Sequence, residues 1–288
     1  MITDYHKIHY IRKGANGTII KAIKKKNEAI PESEPILYAI KKIKLKNDLK
    51  ELSKEISILN ECVNIKNVIK VLDFFNDGKY LYIILETDIY AKDLHDYLED
   101  YLEEHDIKYL YEGLIKKIFK NILDTCVELR KLQIHHMDIK TENIMMLGKN
   151  TNEHNLRIKI IDFGSSCHEI DLKRTKLMGT VDFAPPEALE YFDNGYSDSD
   201  EVENEKIINN KRINGEKYTV WTLGILLYYL IHFEYPFEEL SEIENKEISF
   251  TSSININVKE MLKRCLEKKM DKRCKLIDIS SCKWLNEK

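Results

Sequence analysis

Groups able to hold a metal, balance a charge and move a proton crowd one short stretch of the chain, His136-Met137-Asp138-Ile139-Lys140-Thr141-Glu142-Asn143, and a further carboxylate follows nineteen residues after Asn143 in Asp162-Phe163-Gly164. Asn143 and Asp162 offer the hard oxygen ligands that Mg²⁺ prefers. Asp138 is a candidate to accept or orient the proton of an attacking hydroxyl, because an ionised carboxylate within hydrogen-bond reach does both. Lys140 would neutralise charge on a transferred group. Moving a γ-phosphoryl group calls for this combination of metal ligands, cation and orienting group. The plainer alternative is an Asx-rich loop whose side chains only cap helices; four groups in register weigh against it.

Such groups need a framework to hold them. From Ile8 to Leu85 the sequence alternates short β-type runs with turns, at Ile8 to Arg12, Thr18 to Ala22, Leu37 to Ile43, Val68 to Phe75 and Leu81 to Leu85. One amphipathic helix interrupts them, Asn47 to Glu61, with Leu49, Leu52, Ile56 and Leu59 on its apolar side. After Asp93 the pattern turns helical, at Leu94 to Glu104, Tyr109 to Leu132, Val220 to His232 and Val258 to Lys268. The reading is α+β, a small β-rich lobe followed by a larger helical one. Asp193 to Glu216 is rich in Asp, Glu, Asn and Ser, with too little apolar surface to offset the entropy of ordering, and is expected to be a disordered acidic insertion.

Composition narrows the function classes. The 288 residues, 43% hydrophobic and 33% charged, suffice for one two-lobed domain with a buried core and exclude disorder throughout. A net charge of -4 argues against nucleic acid as a partner, since a binding face would call for a basic excess. The six cysteines show neither C-x-x-C pairs nor zinc-type Cys/His spacing, so reduced thiols are expected. No signal peptide and no membrane-length apolar segment is legible, which points to an intracellular, cytoplasmic or nuclear protein. Oligomeric state is not encoded in any pattern we identify.

Three features upstream are ambiguous one at a time. Lys13-Gly14-Ala15-Asn16-Gly17-Thr18 lies between two predicted strands and reads alone as a hairpin turn, although its glycines would also let backbone N–H groups approach phosphates. Lys41, in Ala39-Ile40-Lys41, reads alone as a solvent-facing strand residue, and Glu55 as an exposed helix residue.

Together with the first motifs they resemble the ordered motif set of eukaryotic protein kinases, in a serine/threonine-like form, along nearly the whole chain from about Tyr5 to Leu285. The resemblance implies the two-lobed kinase fold over residues 5–287, with a small lobe of about 5–86 and a large lobe of about 92–287. It implies ATP and Mg²⁺ as cofactors and a protein hydroxyl as acceptor. Gly14 and Gly17 match the glycine-rich loop. Lys41 would hold the α- and β-phosphates, positioned by Glu55. Ile19, Ala39, Glu86, Asp93 and Met145 would line the nucleotide site, Leu85 would be its gatekeeper, and Glu86-Thr87-Asp88 would offer backbone groups to adenine. Asp138 and Lys140 take the catalytic places, Asn143 and Asp162 the metal places. His136, Phe163, Leu59 and Val71 match the apolar spine joining the lobes. Pro185-Pro186-Glu187 resembles the end of an activation segment, with Glu187 paired to Arg273, and Gly179-Thr180 supports the serine/threonine form, Thr180 helping to position Asp138 and Lys140.

Three positions depart from the family pattern: Arg12 stands at the first loop glycine, Met137 at the arginine before Asp138, and Thr219 at the aspartate two residues before Trp221. Met137 removes a cation that in many kinases binds a phosphate on the activation loop, so order in that loop is expected to be independent of phosphorylation. The alternative these departures leave open is a pseudokinase, a nucleotide-binding or scaffolding module; a phosphotransferase for small molecules is a further one.

Overall fold

The computed structural model describes residues 1–14, 17–24, 36–45, 49–148, 155–173, 177, 179–193, 213–251 and 254–287. Strands β1 (Tyr5–Gly14), β2 (Gly17–Lys24), β3 (Leu37–Lys44), β4 (Val71–Asn76) and β5 (Tyr80–Glu86) form one antiparallel sheet, in the order β1-β2-β3-β5-β4. Register decides which side chains meet beneath it. Lys41 stands opposite Ile19 on one side and Ile83 on the other, while Ala39 stands opposite Leu85, so these residues share one face. The intervening residues Ile20, Ala22, Ile40, Tyr82 and Ile84 cluster on the other.

Helix α1 (Leu49–Glu61) turns Ile56 toward Leu81 and Ile83 of the sheet and sends Ile58, Leu59 and Cys62 into the core of the following lobe. That core surrounds α2 (Leu94–His105), α3 (Glu112–Lys131) and α5 (Gly215–His232), whose residues are buried on nearly every side, as expected of a helix apolar all round. Helices α4 (Glu190–Asp193), α6 (Leu240–Asn245), α7 (Ile256–Cys265), α8 (Leu276–Ser280) and α9 (Lys283–Asn286) complete the large lobe. In α9, Trp284 packs on Phe119 of α3 and donates its Nε1–H to Glu112 at 2.8 Å. All six cysteines are free thiols.

Short strands carry the site: β6 (Lys92–Asp93), β8 (Ile144–Met146) and β9 (Ile158–Ile160) form one ladder, and β7 (Ile134–His135) pairs with β10 (Cys167–His168). The strand expected from Val68 begins at Val71, because Val68 makes a parallel bridge to Ile160 and its neighbours bond to β9 instead of to the sheet. The helix expected from Tyr109 begins at Glu112, and the one expected from Val220 begins five residues earlier, at Gly215.

That earlier start corrects the boundary of the acidic insertion. Ile213 is buried, Asn214 accepts the Lys217 N–H as the N-cap, and Glu216 lies in the first turn, so residues 213–216 are folded. Asp193 closes α4, and the rest of that stretch, 194–212, lies outside the described residues. Gly215 is required here by packing: a Cβ would sit 2.3 Å from the His135 ring.

Candidate active site

Lys41 and Glu55 meet at 2.7 and 2.9 Å, and the same ammonium reaches Asp162 Oδ1 at 2.8 Å. Strand β3 supplies the lysine, α1 the glutamate, and the turn after β9 the aspartate. One cation therefore serves two carboxylates in a largely dry place. Burial alone would lower the Lys41 pKa, yet the two carboxylates override it and raise it above the usual lysine value. At Asp162 burial is likewise overridden by Lys41, which holds the carboxyl below its ordinary value. Glu55 goes the other way, because its burial outweighs its share of the ammonium.

Asp162 adopts left-handed backbone, φ 59° and ψ 70°, a conformation that costs a non-glycine residue energy and is tolerated where surroundings fix it. The fixing is visible on both sides. Ile161 donates its N–H to the Asn143 carbonyl at 2.9 Å, and Phe163 is fully buried with its ring edge-to-face on His136, centroids 4.7 Å apart. His136 donates Nε2–H to the Ile161 carbonyl and accepts the Asp138 N–H at Nδ1, the neutral imidazole that burial favours by lowering its pKa. Leu59 packs in the same cluster, with Val71 against it.

Asp138 is held from three directions. Its Oδ1 accepts the Thr180 N–H at 3.1 Å and the Thr180 hydroxyl at 2.9 Å, while its Oδ2 accepts an amide hydrogen of Asn143 at 2.9 Å. Lys140 donates to Thr180 Oγ1 at 2.5 Å and lies 3.5 Å from Asp138. Asn143 also donates to the Asp138 carbonyl, so its amide hydrogens are committed and its oxygen is the atom left to ligate. Gly179 permits the close approach: its φ is +142°, and a Cβ would come within 2.8 Å of the Met137 carbonyl.

The nucleotide-lining candidates gather around the linker. Ile19, Ala39 and Leu85 lie under the sheet, and Met145 stands on β8 opposite Asp93 and Lys159. Gly14 and Gly17 pair at the β1–β2 turn, where Gly17 has φ +128° and a Cβ would collide with the Lys42 carbonyl at 2.5 Å. The side chain of Arg12 and the turn residues 15–16 lie outside the described residues. Two candidates are engaged elsewhere through their side chains. Asp93 caps α2 by accepting the Asp96 N–H, and Glu86 accepts Lys159 Nζ at 2.7 Å and the Lys70 N–H at 3.0 Å.

What sequence reasoning missed is how the departures are accommodated. Met137, at φ 65°, is buried with Cys167, Leu172, Leu177, Ala184, Ala188, Ile213 and Tyr218, an apolar cluster that holds both ends of the segment between Asp162 and Glu187. Thr219 turns its hydroxyl back to the Gly215 carbonyl of its own helix. Helix α5 instead meets the catalytic segment by packing, Gly215 on His135 and Tyr218 in the Met137 cluster. His135 in turn bonds Glu169 at 2.6 Å, and burial lowers its pKa. The doublet His135-His136 was a visible signal for this second buried imidazole. Glu187 and Arg273 form a two-pronged pair at 2.7 and 2.8 Å, with the Arg273 side chain wholly buried.

Residues 5–285 match the model of the protein kinase domain. Among curated proteins the chain is 30% identical to the serine/threonine-protein kinase PSK2 of Saccharomyces cerevisiae over 222 residues, 76% of this chain and 18% of that protein. It is 28% identical to PSK1 of the same yeast, over 98% of this chain and 19% of that protein, and 27% identical to the serine/threonine-protein kinase ppk6 of Schizosaccharomyces pombe, over 99% and 34%. It thus spans between about a fifth and a third of the length of these relatives. The chain belongs to the protein kinase family. Among the described residues no helix is long and apolar enough to cross a membrane.

Proposed function

We propose that this protein kinase is an active, ATP- and Mg²⁺-dependent serine/threonine kinase that transfers the γ-phosphoryl group to a protein hydroxyl, its catalytic domain covering residues 5–287 with lobes of about 5–86 and 92–287. The observation that carries the reading is the closed Lys41–Glu55–Asp162 arrangement: an ammonium shared by two carboxylates, in reach of a cleft roofed by a glycine turn.

The donor set fits the cofactor. The carboxylate of Asp162 and the amide oxygen of Asn143 are hard ligands suited to Mg²⁺, and Gly14 and Gly17 flank the β1–β2 turn, whose backbone N–H groups could meet phosphate. Bound Mg²⁺–nucleotide would supply the transferable phosphoryl group and screen its charge. The chain's own residues would do the rest. Lys41, kept charged, would hold phosphate oxygens; Asp138, held by Thr180 and Asn143, would orient the acceptor hydroxyl and take its proton; Lys140 would compensate charge beside it. Ile19, Ala39, Met145, Asp93 and the backbone of Glu86 would enclose the adenosine moiety.

Incubation with radiolabelled ATP and a peptide array, wild type beside Asp138→Asn, tests this. Label on serine or threonine peptides, abolished in the variant, supports it. Nucleotide binding by wild type without transfer to any peptide would replace it with the scaffolding alternative.

A further inference from the structure

The strand that delivers Asp162 also grips the interlobe linker from behind. Lys159 of β9 donates to the Lys66 carbonyl at 2.9 Å and to the Val68 carbonyl at 3.1 Å, and its ammonium makes an ion pair with Glu86 Oε1 at 2.7 Å. Its side chain is 12% exposed. Two residues earlier, on the same side by strand periodicity, Arg157 reaches Asp88 at 3.4 Å. Glu86 and Asp88 are likewise two apart, so two cations of one segment match two carboxylates of the other.

Backbone bonds weld the assembly. Glu86 exchanges two hydrogen bonds with Lys70, N–H to carbonyl at 3.1 Å and carboxylate to N–H at 3.0 Å. Ile160 exchanges two with the segment before β4, donating to the Asn67 carbonyl at 2.7 Å and accepting the Ile69 N–H at 3.1 Å. Three pieces of chain distant in sequence thus form one unit: residues 66–70, the linker 86–88, and the run 157–160 that ends two residues before Asp162.

We propose that Lys159 and Arg157 are positioning residues for the nucleotide: by clamping Glu86 and Asp88 to β9 they fix the distance between the adenine-facing linker and the metal-binding carboxylate. The inference rests on the ATP reading above and adds to it a specific pair. The carboxylate of Glu86 faces Lys159 and the Lys70 N–H, and its own N–H is bonded to the Lys70 carbonyl, so the group it would offer to adenine is its carbonyl, and the placing of that carbonyl depends on the ion pair. An ammonium bonded to two carbonyls and paired to a carboxylate, with little of its side chain exposed, is the geometry of a brace; a solvated surface pair lacks such fixing.

The test is steady-state kinetics with ATP as the varied substrate, with equilibrium binding of adenosine and thermal unfolding measured on the same preparations. Lys159→Met and Glu86→Gln should each raise KM for ATP about tenfold and weaken adenosine to a similar degree, with kcat changed less than about threefold. Lys159→Arg should restore most of the affinity. The double variant should cost no more than the worse single one, since both remove one interaction. Arg157→Ala, at a largely exposed side chain, should raise KM about twofold and serves if Lys159→Met does not fold. Variants that melt earlier yet keep wild-type KM and adenosine affinity would make the pair purely structural and overturn the proposal, as would full additivity in the double variant. A wild type that phosphorylates peptides while these variants match it sinks the clamp alone; a wild type that neither binds adenosine nor transfers phosphate sinks both readings.

Discussion

Two of the buried ionic clusters among the described residues are finished to different degrees. Around Arg273 four of the five guanidinium N–H groups have acceptors: Nε donates to the Glu267 carbonyl, Nη1 to Glu187 and the Lys217 carbonyl, Nη2 to the second oxygen of Glu187. One guanidinium meets one carboxylate, and the Trp221 ring lies 5.0 Å beneath. Around Lys41 one ammonium faces two carboxylates, and Asp162 keeps 30% of its side chain exposed. The charge-balanced cluster is wholly buried at Arg273 and ties Glu187, at the end of the activation segment, to the large lobe. The unbalanced one has charge left over, in a cleft, next to a strained backbone. Excess charge that folding leaves unpaired is where a ligand has something to gain.

Removing one partner from each cluster separates their roles. Arg273→Met should have the largest effect, lowering stability by about 3–5 kcal/mol, because it strands the Glu187 carboxylate and two backbone carbonyls; urea unfolding measures this, and a change below about 1 kcal/mol would mean that the cluster is not a lock. Lys41→Met strands the buried Glu55 carboxylate and should lower the melting temperature, whereas Asp162→Ala, at a partly exposed side chain, should leave it near that of wild type; both should cut phosphoryl transfer at least about a hundredfold, about 2.7 kcal/mol of barrier. If either keeps wild-type turnover at saturating ATP and Mg²⁺, the contrast between the clusters disappears.

A smaller effect comes from the imidazole beside the Arg273 lock's neighbour, α5. Unfolded His135 takes up a proton near its ordinary value of 6.5, but burial lowers its pKa in the fold despite Glu169. The unfolded chain therefore binds more protons below that pH, and stability falls as pH drops below about 6.5, by at most about 1.4 kcal/mol per unit for one group. Urea midpoints between pH 5 and 7.5 should show the slope, and His135→Gln should reduce it, leaving the part contributed by buried His136. The smallest effect concerns the apolar cluster around Met137, which packs against both ends of the activation segment. Phosphatase-treated protein should retain most of its activity, and Thr175→Ala, at a position outside the described residues, should alter the rate less than about threefold, about 0.7 kcal/mol. A tenfold loss in both would show that another cation does what an arginine at 137 would do.

The long periodic elements were legible because their own residues decide them: α1, α2 and the five-stranded sheet follow from apolar spacing. The site motifs were legible because their spacing is fixed by chemistry. Strands β6, β8 and β9 were not, since two or three residues carry no period and exist only by pairing with one another. The start of α5 was hidden by the acidic composition before it, although Asn214 three residues ahead of Lys217 was an available capping signal. Lys159 escaped notice for a different reason. A lysine between isoleucines reads as a solvent-facing alternate, and only tertiary structure brings Glu86 to it across 73 positions. Met137 was seen as an arginine lost; the fold shows it as a methionine used.

The docking of Trp284 on α3 sets a timetable for synthesis. The small lobe's sheet closes through neighbours in sequence and can form as soon as residue 86 has left the ribosome. Helix α3 has no such freedom, because the ring that covers Phe119 and the indole N–H that satisfies Glu112 arrive with residue 284. At roughly 5–20 residues per second, roughly ten to thirty seconds pass between the emergence of Phe119 and that of Trp284. Throughout that interval the nascent large lobe shows apolar surface, and a chaperone that recognises such surface has its window there.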